Sequence, residues 1–307
     1  MALWIAGSCS LKHGRTLDPS GPEMASSFKI SMGDLTAGFV DNSAIPPFHR
    51  AGYNGLASLQ HRLDDSTFFV PQYAGFNLEH IFGGDSLISL FELRRHPMTL
   101  YRKSDSEVLL YQTPTPISRV ESLTAFKLVP PHYIDIRFTC QLNDLSFFRH
   151  GYAGLFWASY IQAPEDKKIY FLSTGSLSKG ESWINTYSET HGVNSTHRGR
   201  KDDHQLFFAG NFNASLASHF SRFRFVQPFY FGLCRKMVFA QLFDSKEIIR
   251  FSQSPTGGGP ANPAWDFQYI IPEPKAGKRY SFKARLIYKP FVSAEDIRLE
   301  YVKWKAG

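Results

Sequence analysis

The sequence has little cysteine and none of the spacings that cysteine-based sites need. Its 307 residues include three cysteines, Cys9, Cys140 and Cys234, and no CxxC pair. An odd number of widely separated cysteines supports neither a zinc ribbon nor a disulfide framework. We therefore expect a reduced, cytoplasmic protein in which Cys140 and Cys234 are core residues.

Long apolar runs and blocks of like charge are also missing. No stretch approaches the roughly 18–20 apolar residues of a membrane-spanning helix, so we expect no membrane partner. The net charge of +7 is dispersed along the chain, and Asp202 and Asp203 directly follow the densest basic stretch, residues 197–201. We interpret this stretch as a solvated loop, with an anion-binding edge for an acidic sugar as the alternative, and expect no nucleic-acid partner.

Several well-known catalytic motifs are absent. The chain contains no GxSxG, HExxH or HxH sequence, and its glycine run at residues 257–259 lacks the Lys-Ser/Thr of a P-loop. The sequence therefore gives little support to a covalent hydrolase or to a nucleotide-binding protein. We expect no cofactor and no resident metal. A weaker alternative is a metal site with His96, His191 and His197 as ligands.

Aromatic residues, by contrast, are abundant. The 28 Phe, 14 Tyr and 5 Trp make up 15% of the chain, and aromatic rings favour strands. At least a dozen short strands are predicted from about residue 50 onward, with clear period-two alternation at residues 133–140. Helical periodicity is limited to residues 293–303, where Ser293 is a plausible N-cap, and to a short candidate at residues 76–82. These patterns predict one all-β antiparallel domain over residues 46–307, a short C-terminal helix and an irregular N-terminal extension over residues 1–45.

Polar groups that can transfer protons or bind sugars lie beside some of these aromatics. Glu79 and His80 precede a glycine pair, and strand alternation places Asp266 and Gln268 on the face opposite Trp265. Such groups suit metal-free acid–base catalysis. They also suit carbohydrate recognition, because rings stack on pyranoses and planar polar groups bind hydroxyls. The further candidate site residues are His61, Arg94, Arg95, His96, Trp157, Tyr160, His191, His197 and Arg198.

Two segments carry a family resemblance. Residues 69–78 (FVPQYAGFNL) resemble the opening of galactose mutarotase-like proteins. Residues 77–84 (NLEHIFGG) are similar to that family's Asn…His-Gly-Gly segment, although Ile81 and Phe82 separate His80 from the glycines. The resemblance implies a large antiparallel β-supersandwich, a site on the concave face of one sheet, and a carbohydrate ligand.

The resemblance also implies aldose epimerase-like chemistry, in which one group removes the proton of the anomeric hydroxyl and another protonates the ring oxygen. Its candidate acids are His80 and either His191 or His197, and its candidate bases are Asp266 and Glu79. The side chains expected to bind hydroxyls or stack on the sugar are Arg95, His96, Gln268, Trp157 and Trp265.

Two other functions remain open at this stage. A polysaccharide lyase acting on an acidic glycan would rely more on Tyr160, His191 and Arg198, and the basic charge mildly favours it. A non-catalytic carbohydrate-binding domain would show binding without turnover. The oligomeric state is also open.

Overall fold

The computed structural model describes residues 16–19, 23–84, 89–174, 180–210 and 215–307. Within them, sixteen strands form one large sheet and three form a small one. The first ten strands are β1 Glu23–Met24, β2 Ser27–Met32, β3 Leu35–Val40, β4 Gly55–His61, β5 Asn77–Phe82, β6 Thr99–Arg102, β7 Glu107–Gln112, β8 Val120–Val129, β9 Tyr133–Leu142 and β10 Tyr152–Ala158. The other nine are β11 Ile169–Thr174, β12 Glu181–Thr186, β13 Thr196–Gly199, β14 Phe220–Phe225, β15 Phe229–Cys234, β16 Met237–Ser245, β17 Ile248–Ser254, β18 Ala264–Pro272 and β19 Arg279–Pro290.

The large sheet runs in the order β1-β6-β7-β8-β9-β19-β16-β15-β11-β14-β13-β17-β18-β10-β5, with β12 paired to β11. Its pairs are antiparallel except β13 with β14, which are parallel. The helices are α1 Glu92–Arg95, α2 Ser215–Ser218 and α3 Ala294–Ala306. The predicted all-β architecture with a short C-terminal helix is confirmed.

The sheet folds back on itself and encloses an aromatic core. Phe138 of β9 meets Trp157 of β10 at a ring separation of 4.8 Å, and Phe282 of β19 lies 5.7 Å from Phe267 of β18. Trp157 also stacks on Phe267 at 4.9 Å. These contacts hold two halves of one sheet face to face as a sandwich. Each strand contributes rings at alternate positions, and these rings fill the space between the two layers.

The predicted irregular extension is wrong for part of its length. β2 and β3 pair with β4 in the small sheet, and Phe39 of β3 packs against Phe126 of β8 at 5.4 Å. Residues 35–40 alternate in burial and supply apolar side chains to the main core, so they form a strand rather than an extension. Residues 1–15 and 20–22 lie outside the described part of the chain, and Cys9 is among them.

The predicted helix at residues 76–82 is also wrong, because these residues form β5. Leu78 pairs with Trp157 and His80 with Phe156, which leaves Glu79 as an extra residue in a β-bulge. The bulge lets Leu78 and Ile81 both face the core, and their spacing of three imitates a helical repeat.

The C-terminal helix is confirmed with its predicted cap. The Ser293 side chain accepts a hydrogen bond from Asp296 N at 3.1 Å, which satisfies one of the free amides of the first turn. Ile297 and Tyr301 pack on the outer face of β15, β16 and β19. In the part of the chain that the structure describes, no helix is long and apolar enough to cross a membrane.

The two described cysteines occupy core positions, as predicted. Cys140 and Cys234 are buried and unpaired, and burial raises the pKa of the Cys234 thiol to about 11. Burial raises the pKa of Cys140 as well. Both side chains are therefore protonated near neutral pH and act as small apolar groups.

We expect Trp157→Ala to lower the free energy of unfolding by about 3–5 kcal/mol, because it removes a fully buried ring from the contact between the two layers. Urea denaturation measures this loss. Phe48→Ala is the matched control, since Phe48 is 71% exposed and its loss should cost less than about 0.5 kcal/mol. Equal effects of the two substitutions would contradict the proposed core.

Candidate functional site

The outer face of β5, β10, β18 and β17, here called the site face, carries four of the polar side chains singled out from the sequence: Glu79, His80, Asp266 and Gln268. On β18, Trp265 and Phe267 belong to the core, and alternation places Asp266 and Gln268 on the site face. This predicted alternation is confirmed. On β10, Phe156 likewise packs on the site face rather than in the core.

The pairing of the strands aligns these side chains in rows. His80 of β5 pairs with Phe156 of β10, which pairs in turn with Gln268 of β18. In the next row Asp266 pairs with Ser252 of β17. Gln268 Nε2 donates to Ser252 Oγ at 2.7 Å, so the two rows are linked. The polar side chains of the two rows thus form two groups, His80 on β5 and the linked Gln268, Ser252 and Asp266 on β17 and β18, with Phe156 between them.

Glu79 is the centre of the most densely connected group on this face. Arg94 Nη1 lies 2.6 Å from Glu79 Oε1, and the Tyr160 hydroxyl is 2.8 Å from each carboxylate oxygen. His80 Nε2 lies 3.8 Å from Glu79 Oε2. Three residues predicted from the sequence thus converge on the carboxylate of a fourth, Glu79.

Three tyrosines, here called the tyrosine wall, border this group: Tyr53, Tyr73 and Tyr160. The ring centroids of Tyr53 and Tyr73 are 4.6 Å apart, and those of Tyr73 and Tyr160 are 5.0 Å apart. Arg94 lies 3.9 Å over the Tyr53 ring as a cation–π pair. A Cβ on Gly258, whose φ is +93°, would lie 2.1 Å from the Tyr73 ring, so only glycine lets this loop close over the wall.

Hydrogen bonds of the Asn54, Asn77 and Ser159 side chains hold the tyrosine wall and the Glu79 carboxylate in place. Asn54 Nδ2 donates to Asn77 Oδ1 at 2.9 Å, and the Leu78 amide donates to Asn54 Oδ1 at 3.1 Å. The Phe76 amide donates to Ser159 Oγ at 3.0 Å, although Phe76 has a φ of 52°. A phenylalanine in this region costs free energy, and such residues cluster at functional sites.

A cavity of about 660 Å³ opens beside Arg94. Its volume falls within the roughly 300–1,000 Å³ of small-molecule sites. Arg94 separates the cavity from Glu79 and also donates from Nε to the Gly52 carbonyl at 2.9 Å. The lining residues are Asn42, Ser43, Ala51, Gly52, Phe91, Arg94, Arg95, Pro97 and Met98.

Burial sets the protonation states on the site face. Desolvation raises the pKa of the Asp266 carboxyl well above its ordinary value, although the Ser159 amide donates to its Oδ1 at 3.0 Å and opposes the shift. Desolvation lowers the pKa of His80, with Glu79 opposing, and raises the pKa of Tyr160. Near neutral pH, Tyr160 therefore keeps its proton and His80 lacks its second one, while burial favours the protonated form of Asp266.

Two other predicted histidines lie away from this group. His61, on β4, lies 3.7 Å from Asp34 in the region of the small sheet, and burial lowers its pKa. His96 follows α1, and its Nε2 is 2.8 Å from Thr113 Oγ1. Arg95, which the sequence also predicts as a site residue, is exposed at the rim of the cavity beside Arg94.

The predicted pair of loop imidazoles, His191 and His197, is corrected by the structure. His197 lies on β13, buried against Phe171 at 5.0 Å, with its ring nitrogens 2.6 Å from Ser221 Oγ and 3.1 Å from Gln253 Oε1. Desolvation lowers its pKa to about 4, so it is neutral and enclosed rather than a proton donor to a ligand.

The remaining two candidates lie at the far side of the site face. The exposed His191 has its Nε2 3.3 Å from Ser254 Oγ of β17, and Arg198 lies 4.2 Å over the Phe220 ring. Desolvation lowers the pKa of Arg198. Neither side chain has a recorded contact with Glu79 or Tyr160.

The predicted stacking role of Trp157 and Trp265 is not compatible with their placement. Both rings are fully buried, and Trp265 Nε1 donates to the Lys167 carbonyl at 3.0 Å inside the sandwich. A sugar stacks on an exposed ring face, which neither residue offers. The accessible aromatic surface beside the polar groups comes from tyrosines.

The described residues contain no group of three or more His, Cys, Asp or Glu side chains placed to hold a metal ion. His96, His191 and His197 lie on separate elements, each with its own hydrogen-bond partner. The alternative of a three-histidine metal site is therefore wrong for this fold.

Sequence reasoning did not single out Tyr53, Tyr73 or Arg250 as site residues. The two tyrosines lie in irregular segments that a single bridge, Leu56 to Gly75, brings together. The sequence could have identified Arg250, because strand alternation on β17 places it on the same face as Ser252.

Comparison with solved structures identifies the architecture. A candidate aldose 1-epimerase from Escherichia coli K12 is similar to this chain with a TM-score of 0.52 and 10% identity, over 88% of this chain and all of that one. An aldose epimerase homologue from C. elegans has a TM-score of 0.48 and 8% identity, over 88% of this chain and all of that one. At these identities the first match shows a shared fold, which confirms the β-supersandwich implied by residues 69–84.

Heparan sulfate lyase HepC from Pedobacter heparinus is also similar, with a TM-score of 0.42 and 9% identity over 91% of this chain. This chain spans only 37% of that lyase. No family model matches the sequence, and no curated protein matches it.

The placement of His197 predicts a measurable pH dependence. Its pKa falls from an ordinary 6.5 to about 4 in the folded protein, so its stabilising contribution is complete above pH 6.5. As the pH drops from 6.5 towards 4, the His197 imidazole is protonated in the unfolded chain but stays neutral in the folded chain. The free energy of unfolding should then fall by up to about 1.4 kcal/mol per pH unit.

Urea denaturation at a series of pH values, on wild type and His197→Gln, checks this expectation. The variant should show a flatter dependence between pH 6.5 and 4, because glutamine has no proton to bind there. Phe48→Ala, at an exposed position without a titratable side chain, is the control and should keep the wild-type slope. Parallel curves for wild type and His197→Gln would refute the buried neutral imidazole.

Proposed function

We propose that this protein is carbohydrate-active and that its sugar site lies between the tyrosine wall and the cavity beside Arg94. The observation that carries the proposal is the Glu79 carboxylate, bound by Arg94 and by Tyr160 within 2.8 Å. A sugar hydroxyl needs fixed donors and acceptors beside an apolar ring, and this group supplies both. The shared fold with epimerase-type structures is consistent with this proposal but does not establish it.

Within this class we favour aldose epimerase-like catalysis. In this proposal neutral His80 accepts the proton of the anomeric hydroxyl, and Asp266, whose protonated form burial favours, donates to the ring oxygen. The C1–ring oxygen bond then breaks as the carbonyl forms, and reclosure on the other face reverses both transfers. These roles exchange those expected from the sequence, where His80 was the acid and Asp266 the base.

Glu79 has a supporting part in this mechanism. It lies 3.8 Å from His80 Nε2, so its negative charge stabilises the imidazolium that proton transfer creates. Arg94 and Tyr160 fix the carboxylate, and Arg94 binds hydroxyls with the N–H donors that remain to it. This is the arrangement in which a buried carboxylate orients a histidine base.

The first test follows the optical rotation of freshly dissolved α-D-glucose and α-D-galactose with wild-type protein and Glu79→Gln. We expect wild type to accelerate mutarotation and the variant to lose about 10²–10⁴-fold in rate, because the neutral amide no longer supports the base. Calorimetric titration with the same sugars measures binding separately.

Glu121→Gln provides the matched control for this test. Glu121 is also a buried carboxylate that accepts from a tyrosine, with the Tyr111 hydroxyl at 2.7 Å, but it lies on β8, in the other half of the sheet. It should keep full activity. Binding without rate acceleration would reduce the protein to a carbohydrate-binding domain, and absence of both would overturn the proposal.

A second candidate is a lyase acting on an acidic glycan. It is favoured by the cavity lining, which includes two guanidinium groups, Arg94 and Arg95, and no carboxylate side chain. Such a lining attracts an anionic sugar and suits neutralisation of a uronate carboxylate.

Incubation with polygalacturonate and heparan sulfate, followed by ultraviolet absorbance of the unsaturated uronate product, tests this candidate. A lyase should generate absorbance that Arg94→Gln reduces by about tenfold or more, since the variant loses the charge that stabilises the carbanion-like transition state. No absorbance change with either polymer, in a preparation that accelerates mutarotation, would exclude the lyase.

A further inference from the structure

The parallel pair of β13 and β14 brings two basic segments of the chain side by side. Arg198 of β13 is the register partner of Arg224 of β14, and paired residues on adjacent strands point to the same side of a sheet. Because Phe225, the next residue on β14, belongs to the core, alternation places Arg224, and with it Arg198, on the outer face. Residues 198–201 and 222–224, which are distant in the sequence, therefore meet in one place.

Five cations gather where these segments meet and are here called the basic patch. They are Arg198, Arg200, Lys201, Arg222 and Arg224. Arg200, Lys201 and Arg222 are exposed, whereas the two paired arginines are partly buried. The basic patch is therefore open to a ligand from solvent.

The two carboxylates that follow the basic stretch in the sequence leave most of this charge in place. Asp202 is bound by the fully buried Arg250 of β17, whose Nε and Nη2 donate to its two oxygens at 2.6 and 3.0 Å. Asp203 lies 2.9 Å from Arg224 Nη1. The four patch cations that have no carboxylate partner among the described residues are Arg198, Arg200, Lys201 and Arg222.

An aromatic ring fixes Arg198 within the basic patch. Its guanidinium lies 4.2 Å from the centre of the Phe220 ring, and that of Arg250 lies 5.2 Å from the same ring. Desolvation lowers the pKa of Arg198, and the charges of Arg224 and Arg250 add to this shift. An acidic group bound to Arg198 would offset this repulsion. A guanidinium already held on a ring also loses little conformational freedom when it binds.

We propose that the basic patch is a binding surface for an acidic glycan, separate from the sugar site beside Arg94. Guanidinium groups bind carboxylates and sulfates through paired, charge-assisted hydrogen bonds, and acidic groups recur along such a glycan. In the sheet, β13 is four strand spacings from β5, which is about 19 Å at 4.7–4.9 Å per strand. The inference goes beyond the proposed function, because binding here needs neither Glu79 nor the cavity beside Arg94.

The basic patch suits a glycan better than a nucleic acid. Single strands bind largely by stacking their bases on accessible aromatic rings. Here the Phe220 ring already contacts two guanidinium groups, and the Phe223 ring packs on the core with Arg222 at 4.8 Å. Strong binding to a duplex commonly involves about 6–10 phosphate contacts, whereas the basic patch has five cations, one of them paired with Asp203.

Calorimetric titration with hexasaccharides tests this inference. The acidic probes are the galacturonate hexamer and a heparan sulfate hexasaccharide, and the neutral probe is cellohexaose. We expect an acidic hexamer to bind and Arg198→Gln/Arg222→Gln to raise its Kd by about tenfold or more, because two charge-assisted contacts are lost. The affinity for cellohexaose should be the same in both proteins.

Arg137→Gln/Lys283→Gln is the matched control. Arg137 of β9 and Lys283 of β19 are exposed register partners, so this variant removes the same charge from adjacent strands in the other half of the sheet. Its Kd should stay within about twofold of wild type, since exposed charges farther away than about 10 Å are largely screened at 0.1 M salt. Equal weakening by both double variants would indicate a response to net charge alone and overturn the inference.

Arg94→Gln separates this inference from the proposed function. It should keep the acidic hexamer bound at the basic patch. If it abolishes binding and Arg198→Gln/Arg222→Gln does not, the acidic glycan binds only in the cavity beside Arg94. The inference then fails while the lyase candidate stands. The inference also fails if neither acidic hexamer binds, or if a 20-nucleotide DNA, single-stranded or duplex, binds at least as tightly.

Discussion

The register shift between Leu78 and His80 places two consecutive polar side chains of β5 on one face of the sheet. In a regular strand, Glu79 and His80 would point to opposite sides, and one of them would enter an aromatic core. The extra residue keeps Leu78 and Ile81 in that core while both polar groups face Tyr160 and Phe156. Every contact at the candidate site, from the Arg94 ion pair to the neutral imidazole, depends on this local change of register.

Burial of the Arg94–Glu79 ion pair that results costs hydration free energy. The pair contributes instead to the geometry of the site. The Arg94 and Glu79 side chains are 18% and 7% exposed, so both charges lose most of their hydration. An apolar pair of similar volume would often stabilise a protein as well or better, by about 1–4 kcal/mol. The pair also locks the Arg94 guanidinium over the Tyr53 ring at 3.9 Å, so one side chain joins the carboxylate, the tyrosine wall and the cavity. Such convergence supports a binding role rather than a contribution to folding.

Much of the fold could be predicted because strand periodicity is a local property. The alternation at residues 133–140 appears as β9, and alternation also assigns the two faces of β18 correctly. The site was predictable only in part, since Glu79, His80, Arg94 and Tyr160 were named but their convergence was not. A β-bulge has no signature in the apolar pattern, and here it imitates a helical repeat.

Composition also could not separate buried rings from accessible ones. On β10, Phe156 faces the site and Trp157 faces the core, so both sides of the strand are aromatic. Tryptophan is the usual choice for a sugar platform, yet two layers of sheet must fill the space between them with large rings. Tyr53 and Tyr73 lie instead in irregular segments, where only a long-range bridge sets their proximity.

Burial governs the protonation states of the site face. Exclusion of water favours the protonated form of Asp266 and keeps His80 neutral. In the same low-dielectric setting, a charge that develops during proton transfer interacts more strongly with Glu79 and Arg94 than it would in water. A more hydrated surface would weaken both effects. The burial that keeps His80 unprotonated is therefore also what the proposed acid–base chemistry requires.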